Sequence, residues 1–528
     1  MALTRREMLT FGALSGGAML IPLERSVQAA AQSRMAESAL PAPFTVPFSL
    51  PPKAVPVKSV GTTDYYSMVM RQQATEILPG YQTNIWGYNG TFPGPTFDIQ
   101  QGRETVVRQA NRLPQSHPTL GYTPFTSVHL HGSASLPQYD GYASDVTYPG
   151  SAKDYHYPNF QDARTLWYHD HGVHHTAPNV AMGLAGMYRM HDALEASLPI
   201  PQGYYDIPLI VSDNMFDNTG QLLFDDDDHS GFFGDVILVN GRPWPVMKVE
   251  RRKYRFRILN ASVTRSYRWQ LDSGDPLVVI GTDGGLMPKP QSVKTLLHGN
   301  AERYEVVIDF SKYKIGRRVT LRNISPKNNV DYTNTDKVMA FDVVAKPSST
   351  AKNAVPSVLN PNMAVMGLTE TATTPTRTMA LVRKNGQWTV NGQTWADVEA
   401  TAYTKSLANP ALNSTEIWEI QNDSGGWHHP LHIHLIDFRI LDREFDQNGI
   451  HVPPKPHELG PKDVVYVGEN ERVRLIMKFG PHAGRYMIHC HNLVHEDHDM
   501  MGQFWVGGEG GYDPVTASPS WPLPGSEL

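Results

Sequence analysis

"WGYNGTFPGP", residues 86–95, sets apolar and aromatic residues ahead of Asn89-Gly90 and returns an aromatic, Phe92, two residues later. Asn-Gly is a strong signal for a turn between strands, because both residues tolerate positive φ. "LVNGRPWP" (238–245) repeats the arrangement at Asn240-Gly241, and "WTVNGQTWAD" (388–397) repeats it at Asn391-Gly392, each with a tryptophan three residues after the glycine. The asparagines are 151 residues apart in both intervals. One Asn-Gly means little; three in matching context at equal spacing predict three homologous domains. Short alternating runs lie between them, among them "YRFRILNAS" (254–262), "RYEVVIDF" (303–310) and "RVRLIMKF" (472–479), with no long helical periodicity in competition. The chain therefore reads as all-β, with three β-sandwich domains over 45–195, 196–370 and 371–510.

At 528 residues the chain is too long for one core, which agrees with that division. A net charge of -6 with no basic run argues against a nucleic-acid partner. "TRREMLTFGALSGGAMLIPL" (4–23) places Arg5 and Arg6 ahead of a short, glycine-rich apolar stretch, followed by the small residues Ala29 to Ala31. That pattern predicts a twin-arginine signal peptide over 1–31 and export to the periplasm or beyond, with the twin-arginine machinery as a partner. This route carries proteins already folded, often with cofactor loaded. No later stretch approaches a membrane-spanning length, so no membrane anchor is expected.

The histidines carry the chemistry. Of 22, many fall in His-x-His pairs: His129 and His131, His169 and His171, His432 and His434, His489 and His491. Each pair follows residues typical of a strand, where positions i and i+2 face the same side and can present two imidazoles to one site. A lone histidine on a strand is more often a satisfied core residue than a ligand; four such pairs are not explained that way. His129 lies 40 residues after Asn89 and His432 lies 41 after Asn391, while the middle repeat has no such pair. The predicted site therefore draws on the first and third domains and lies at their interface, with the second domain as a spacer or a wall of the substrate site.

Cys490, the only cysteine, sits between His489 and His491 in "HCHNLVHEDHDMM" (489–501). Two histidines and a cysteine with a weak axial methionine make a blue-copper electron-transfer site. His495 and Met500 follow Cys490 at +5 and +10, and His429 can supply the second imidazole. Zinc also takes Cys and His ligands, but it does not account for eight further histidines in pairs. On a strand Cys490 faces away from its two neighbours, so it can serve one copper while they serve others behind it.

These motifs, in this order and spacing, resemble the multicopper oxidases over essentially the whole mature chain. "DARTLWYHDH" (162–171), "GDVILVNGRPWP" (234–245), "RRKYRFRILNASVTRSY" (251–267), "DYTNTDKVM" (331–339) and "HNLVHEDHDMM" (491–501) look most like the bilirubin oxidase branch of that family. The resemblance implies three cupredoxin-like Greek-key β-sandwich domains and four coppers per chain. It places a blue, type 1 copper on His429, Cys490, His495 and Met500, and a type 2 copper on His129 and His432. A coupled type 3 pair would take His131, His169 and His491 on one side and His171, His434 and His489 on the other. It implies a monomer that takes single electrons from a small-molecule substrate and passes them to O2, forming water. Phenols, aminophenols and bilirubin-like tetrapyrroles are the expected reductants. A metal-ion oxidase acting on Cu(I) or Mn(II) is the alternative, for which an acidic groove at the blue copper would be diagnostic. A copper-storage or carrier protein would not need the full set of ten histidines.

Oxygen reduction consumes protons, which a carboxylate near the cluster can deliver. Asp140 and Glu496 match the family's acidic residues at those places, and Asp145 is a further candidate. The run "DDDDH" (225–229) reads as a solvated acidic loop rather than a manganese or calcium site. His174 and His175 fall outside the repeat register, while Trp427 and His428 precede His429 and are candidates to line the substrate mouth.

Overall fold

The computed structural model describes residues 33–226, 229–508 and 514–523, so the predicted signal peptide lies outside the described residues. The described chain is built of strands, with helices no longer than the seven residues of Thr176–Met182. None of its helices is long and apolar enough to cross a membrane.

The repeat seen in sequence is a repeat in space. Asn89, Asn240 and Asn391 have φ of 54°, 51° and 51°, and the glycines after them also have positive φ. Each asparagine docks on a neighbouring strand in the same way. Its N–H donates to the carbonyl of Val69 (2.7 Å), Ile210 (2.8 Å) or Ala380 (2.8 Å). Its Oδ1 accepts the N–H of that same residue at 2.8, 2.8 and 2.7 Å. A short side-chain amide and a left-handed backbone are both needed, which is why asparagine stands at all three positions.

The strand that receives each asparagine runs parallel to a partner from later in its own repeat. Thr63–Arg71 pairs with Glu104–Arg112, Asp206–Val211 with Arg255–Asn260, and Thr376–Leu381 with Ile417–Asn422. Parallel neighbours need a crossed connection, here that of a Greek-key sandwich. The first and third repeats each combine a six-stranded with a four-stranded sheet, and the second an eight-stranded with a five-stranded one. Separate apolar cores fill the three sandwiches. A further cluster, including Trp167, Ile210, Leu259, Val464 and Leu493, joins all three repeats where they meet.

Both ends of the described chain pack on a neighbouring repeat. Phe44 and Phe48 donate to the carbonyls of Trp244 and Val246, each at 2.9 Å, on the middle sandwich. After the third sandwich, Trp521–Pro522 pairs with Ser151–Ala152 at the edge of the first.

Candidate metal centre

Two strand pairs position the histidines. Val128–His131 runs antiparallel to Arg164–Asp170 with His129 opposite His169. In the third repeat His429–Ile433 runs antiparallel to Gly484–Cys490, with His432 opposite His489 and Leu431 opposite Cys490. The four-stranded sheets of the outer repeats thus present their histidines to one another, and all ten side chains are buried. His129 Nε2 lies 3.4 Å from His432 Nε2, and His171 and His434 each bring Nε2 to 3.1 Å from His489 Nε2. The donor atoms fall into convergent groups: His131, His169 and His491; His171, His434 and His489; and His129 with His432 beside His131.

The outer nitrogens are fixed by acceptors behind the rings. Nδ1–H of His169 donates to the Asp170 carbonyl (2.7 Å), that of His432 to the Asp463 carbonyl (2.8 Å) and that of His129 to the Asp140 carbonyl (2.5 Å). His434 Nδ1 meets Asp140 Oδ2 at 2.7 Å, and His489 Nδ1 meets Glu496 Oε2 at 2.9 Å. Such outer-nitrogen bonds set the tautomer, leaving a lone pair on each inward Nε2. His169 Nε2 and His491 Nε2 have no hydrogen-bond partner. Buried acceptors left this way are costly unless a cation or water meets them. Burial, with the neighbouring imidazoles, pushes His169 to about 3 and His171 to about 4. These two rings are therefore neutral at physiological pH, the form that binds metal.

A second donor set lies on the other side of Cys490. Its Sγ is 3.3 Å from His429 Nδ1 and 3.7 Å from His495 Nδ1, and the two nitrogens are 3.3 Å apart. Here Nε2 faces outward, to Ser424 Oγ at 2.8 Å in His429 and to the Ser230 carbonyl at 3.1 Å in His495. The short helix Leu493–Asp497 carries His495, and its first residues are fixed by Asn492, which in turn accepts from Thr264 Oγ1 of the middle repeat. The chain then closes back: Met500 N–H donates to the His495 carbonyl and Cys490 N–H to the Met500 carbonyl. Met500 is buried in the same core as Cys490. Burial raises the Cys490 thiol pKa; a cation among these donors would reverse that. Two imidazole nitrogens and a sulfur in a trigonal set, with a methionine alongside, suit copper better than zinc.

The two acids predicted from sequence both reach the cluster. Asp140 owes its place to Gly141, at φ 78°, where a Cβ would stand 2.6 Å from the backbone of His129. Burial raises the Asp140 carboxyl well above the usual carboxylate range. Glu496 is buried as well, yet His489 and His171 beside it bring it down to about 2. Asp145 has a different role, in a buried ion pair with Lys153. His174 Nδ1 is tied to the Asp497 carbonyl at 3.0 Å, and His175 stacks on Tyr122. His428 is buried, stacked on Tyr466 and 3.2 Å from Ser266 Oγ, so it packs beneath the surface rather than lining a mouth. Trp427 packs edge-on to Trp388 and His495.

A third carboxylate went unread in the sequence. Asp463 Oδ1 lies 3.1 Å from His131 Nε2, which leaves His131 Nδ1 as the ring nitrogen without a partner. Arg303 of the middle repeat donates to Asp463 Oδ1 at 2.7 Å. The available signal was a charged pair, Lys462-Asp463, at the head of the wholly apolar strand Val464–Val467. The middle repeat is thus more than a spacer: it supplies Arg303 to the cluster and Ser230 to His495.

Comparison with known proteins gives one family. Three multicopper oxidase models match residues 69–195, 201–335 and 369–509. The chain is 41% identical to a bilirubin oxidase from Albifimbria verrucaria over 481 residues, 87% of this chain and 81% of the relative. It is 34% identical to a laccase from Bacillus subtilis (strain 168), covering 87% of this chain and 97% of the relative. Among solved structures, a laccase from Pediococcus acidilactici superposes with a TM-score of 0.77 at 30% identity, covering 90% of this chain and 96% of that one.

Proposed function

The chain belongs to the multicopper oxidase family, and from that premise we propose that it oxidises phenolic, aminophenolic or tetrapyrrole (bilirubin-like) substrates at the Cys490 site. It is an oxidoreductase with O2 as acceptor and four coppers as cofactor. We assign His429, Cys490, His495 and Met500 to the blue copper, and His129 and His432 to the type 2 copper. His131, His169 and His491, with His171, His434 and His489, are assigned to the type 3 pair. When bound, copper supplies one-electron transfer at the first set and reduction of O2 to water at the second.

The observation that supports the assignment is the meeting of the two sets at one residue. Cys490 Sγ points to His429 and His495, while the residues on either side, His489 and His491, point into the cluster. One strand thus joins the two sets by continuous covalent bonds. The carboxylates divide the remaining work: Asp140 and Glu496 orient rings from both outer repeats and are positioned to hand protons inward. Aromatic reductants fit the surroundings of His495, where Trp388 stacks on the ring at 3.8 Å and Trp427 meets its edge. Export through the twin-arginine route, with residues 1–31 removed, and action as a monomer complete the proposal.

The experiment is a panel of reductants, with o-aminophenol, a methoxyphenol, bilirubin, Cu(I) and Mn(II) compared while oxygen uptake is followed directly. Turnover is expected on the aromatic compounds. Turnover on the metal ions alone would reject the aromatic assignment.

A further inference from the structure

A separate group of imidazole and carboxylate donors sits on the face that covers His495. Asp226 Oδ2 lies 3.0 Å from His229 Nδ1 and 2.9 Å from His498 Nε2. The two rings are only 3.5 Å apart between centroids, tilted by 43°. All three side chains are reachable from solvent, at 30%, 47% and 33% exposure for Asp226, His229 and His498. Hydrogen bonds from His498 and His229 bring the Asp226 carboxyl down to about 2, so it is anionic at neutral pH.

Two imidazole nitrogens gathered at one carboxylate oxygen supply the donor types of zinc and similar divalent cations. Tetrahedral coordination with bonds of about 2.0–2.1 Å spaces its donors by about 3.3 Å. The two separations through Asp226 fall short of that by only roughly 0.3–0.4 Å. His229 is also held at φ 65°, an uncommon backbone for a residue with a side chain.

The position connects the group to the site below. The His229 carbonyl accepts from Trp388 Nε1 at 3.0 Å, and Trp388 is the ring stacked on His495. The next carbonyl, that of Ser230, accepts from His495 Nε2. The group is thus one residue along the chain from the carbonyl that meets His495 Nε2.

We propose that Asp226, His229 and His498 bind a divalent cation of the zinc type, and that the bound ion fastens the Ser230 carbonyl over His495. The second half rests on the assignment of His495 to the blue copper. A cation here acts as a bolt: it ties the segment carrying Ser230 to the helix end that carries His495, and slows the approach of bulky reductants.

The test uses the four-copper enzyme with Zn(II) as probe, dialysed to equilibrium and counted for both metals. The parent is expected to take up one zinc beyond four coppers, with affinity at least about tenfold weaker in Asp226→Asn and in His229→Gln. Saturating zinc should slow oxidation of a bulky methoxyphenol several-fold in the parent and leave both variants unchanged, with the blue absorption constant throughout. Equal zinc uptake by parent and variants would overturn the site. Zinc uptake with no change in rate would overturn the fastening. Oxygen uptake driven by Mn(II) alone and lost in both variants would make the group a substrate site, again overturning the fastening. A wrong copper assignment would show separately, as a copper count other than four before zinc is added.

Discussion

Asp140 Oδ2 stands 2.7 Å from His434 Nδ1, so a carboxylate of the first repeat orients an imidazole of the third across 294 residues of chain. Its other oxygen has no hydrogen-bond partner. The same group therefore has a structural bond to keep and a free oxygen on which a proton can ride.

Asp140→Asn separates those roles, because the amide preserves shape and an acceptor but cannot cycle a proton. Copper content and blue colour should match the parent while oxygen reduction slows by about 10²-fold or more. Turnover within a few-fold of the parent across pH would dismiss Asp140 as a relay.

Cys490→Ser should abolish the intense blue absorption and the oxidation of reductants, while three coppers remain. The colour requires charge transfer from a thiolate sulfur, and a serine hydroxyl offers neither the soft donor nor an accessible anion. Copper counting and absorption spectra decide it; a surviving blue band would mean Cys490 is only a buried thiol.

Gly141→Ala tests how the relay is placed. The new methyl group would meet the His129 backbone at a site whose φ is 78°. A loss of about 1–3 kcal/mol in stability is expected, along with fewer than four coppers retained after dialysis. Denaturant unfolding and metal analysis on the purified variant would reveal a normal protein if the close approach is unimportant.

Glu458 gives a pH dependence away from the metal sites. Burial alone would raise this carboxyl, but the charge of Arg443, bonded at 2.6 Å, brings it down to about 2. A depressed carboxyl stabilises the fold above its unfolded pKa, about 4.3, and loses that contribution as pH falls toward 2. The melting temperature of the parent should therefore exceed that of Glu458→Gln by most at neutral pH, with the gap closing between pH 4 and 2. A gap independent of pH would exclude the linkage.

Replacing Arg5 and Arg6 together by lysine should strand active enzyme in the cytoplasm. Normal export of that variant, measured by fractionation, would point to a general secretory signal.

The sequence made the repeat legible because a turn needing two positive φ values accepts few residues, and Asn-Gly supplies them cheaply. His-x-His was legible for a similar reason, since strand periodicity alone puts both rings on one face. Asp463, Arg303 and Ser230 were not, because their roles depend on contacts between repeats that no local pattern encodes. Ser230 acts through its backbone carbonyl, to which residue type is nearly irrelevant. His428 was misread for the opposite reason: adjacency to His429 suggested a surface role, but it lies just ahead of the strand His429–Ile433, buried against Tyr466.

Dividing the cluster between the outer repeats also orders events during synthesis. The cluster histidines of the first repeat end at His171 and those of the third begin at His432, a gap of 432 − 171 = 261 residues. At roughly 5–20 residues per second, a ribosome takes about 13–50 s to cross it. Throughout that interval the nascent chain holds four imidazoles with no opposing set, a half-site open to whichever soft cation arrives first. Selectivity for copper is therefore a property of the finished chain, and a nascent chain emerging where zinc is abundant would be at risk of mismetallation before its last repeat exists.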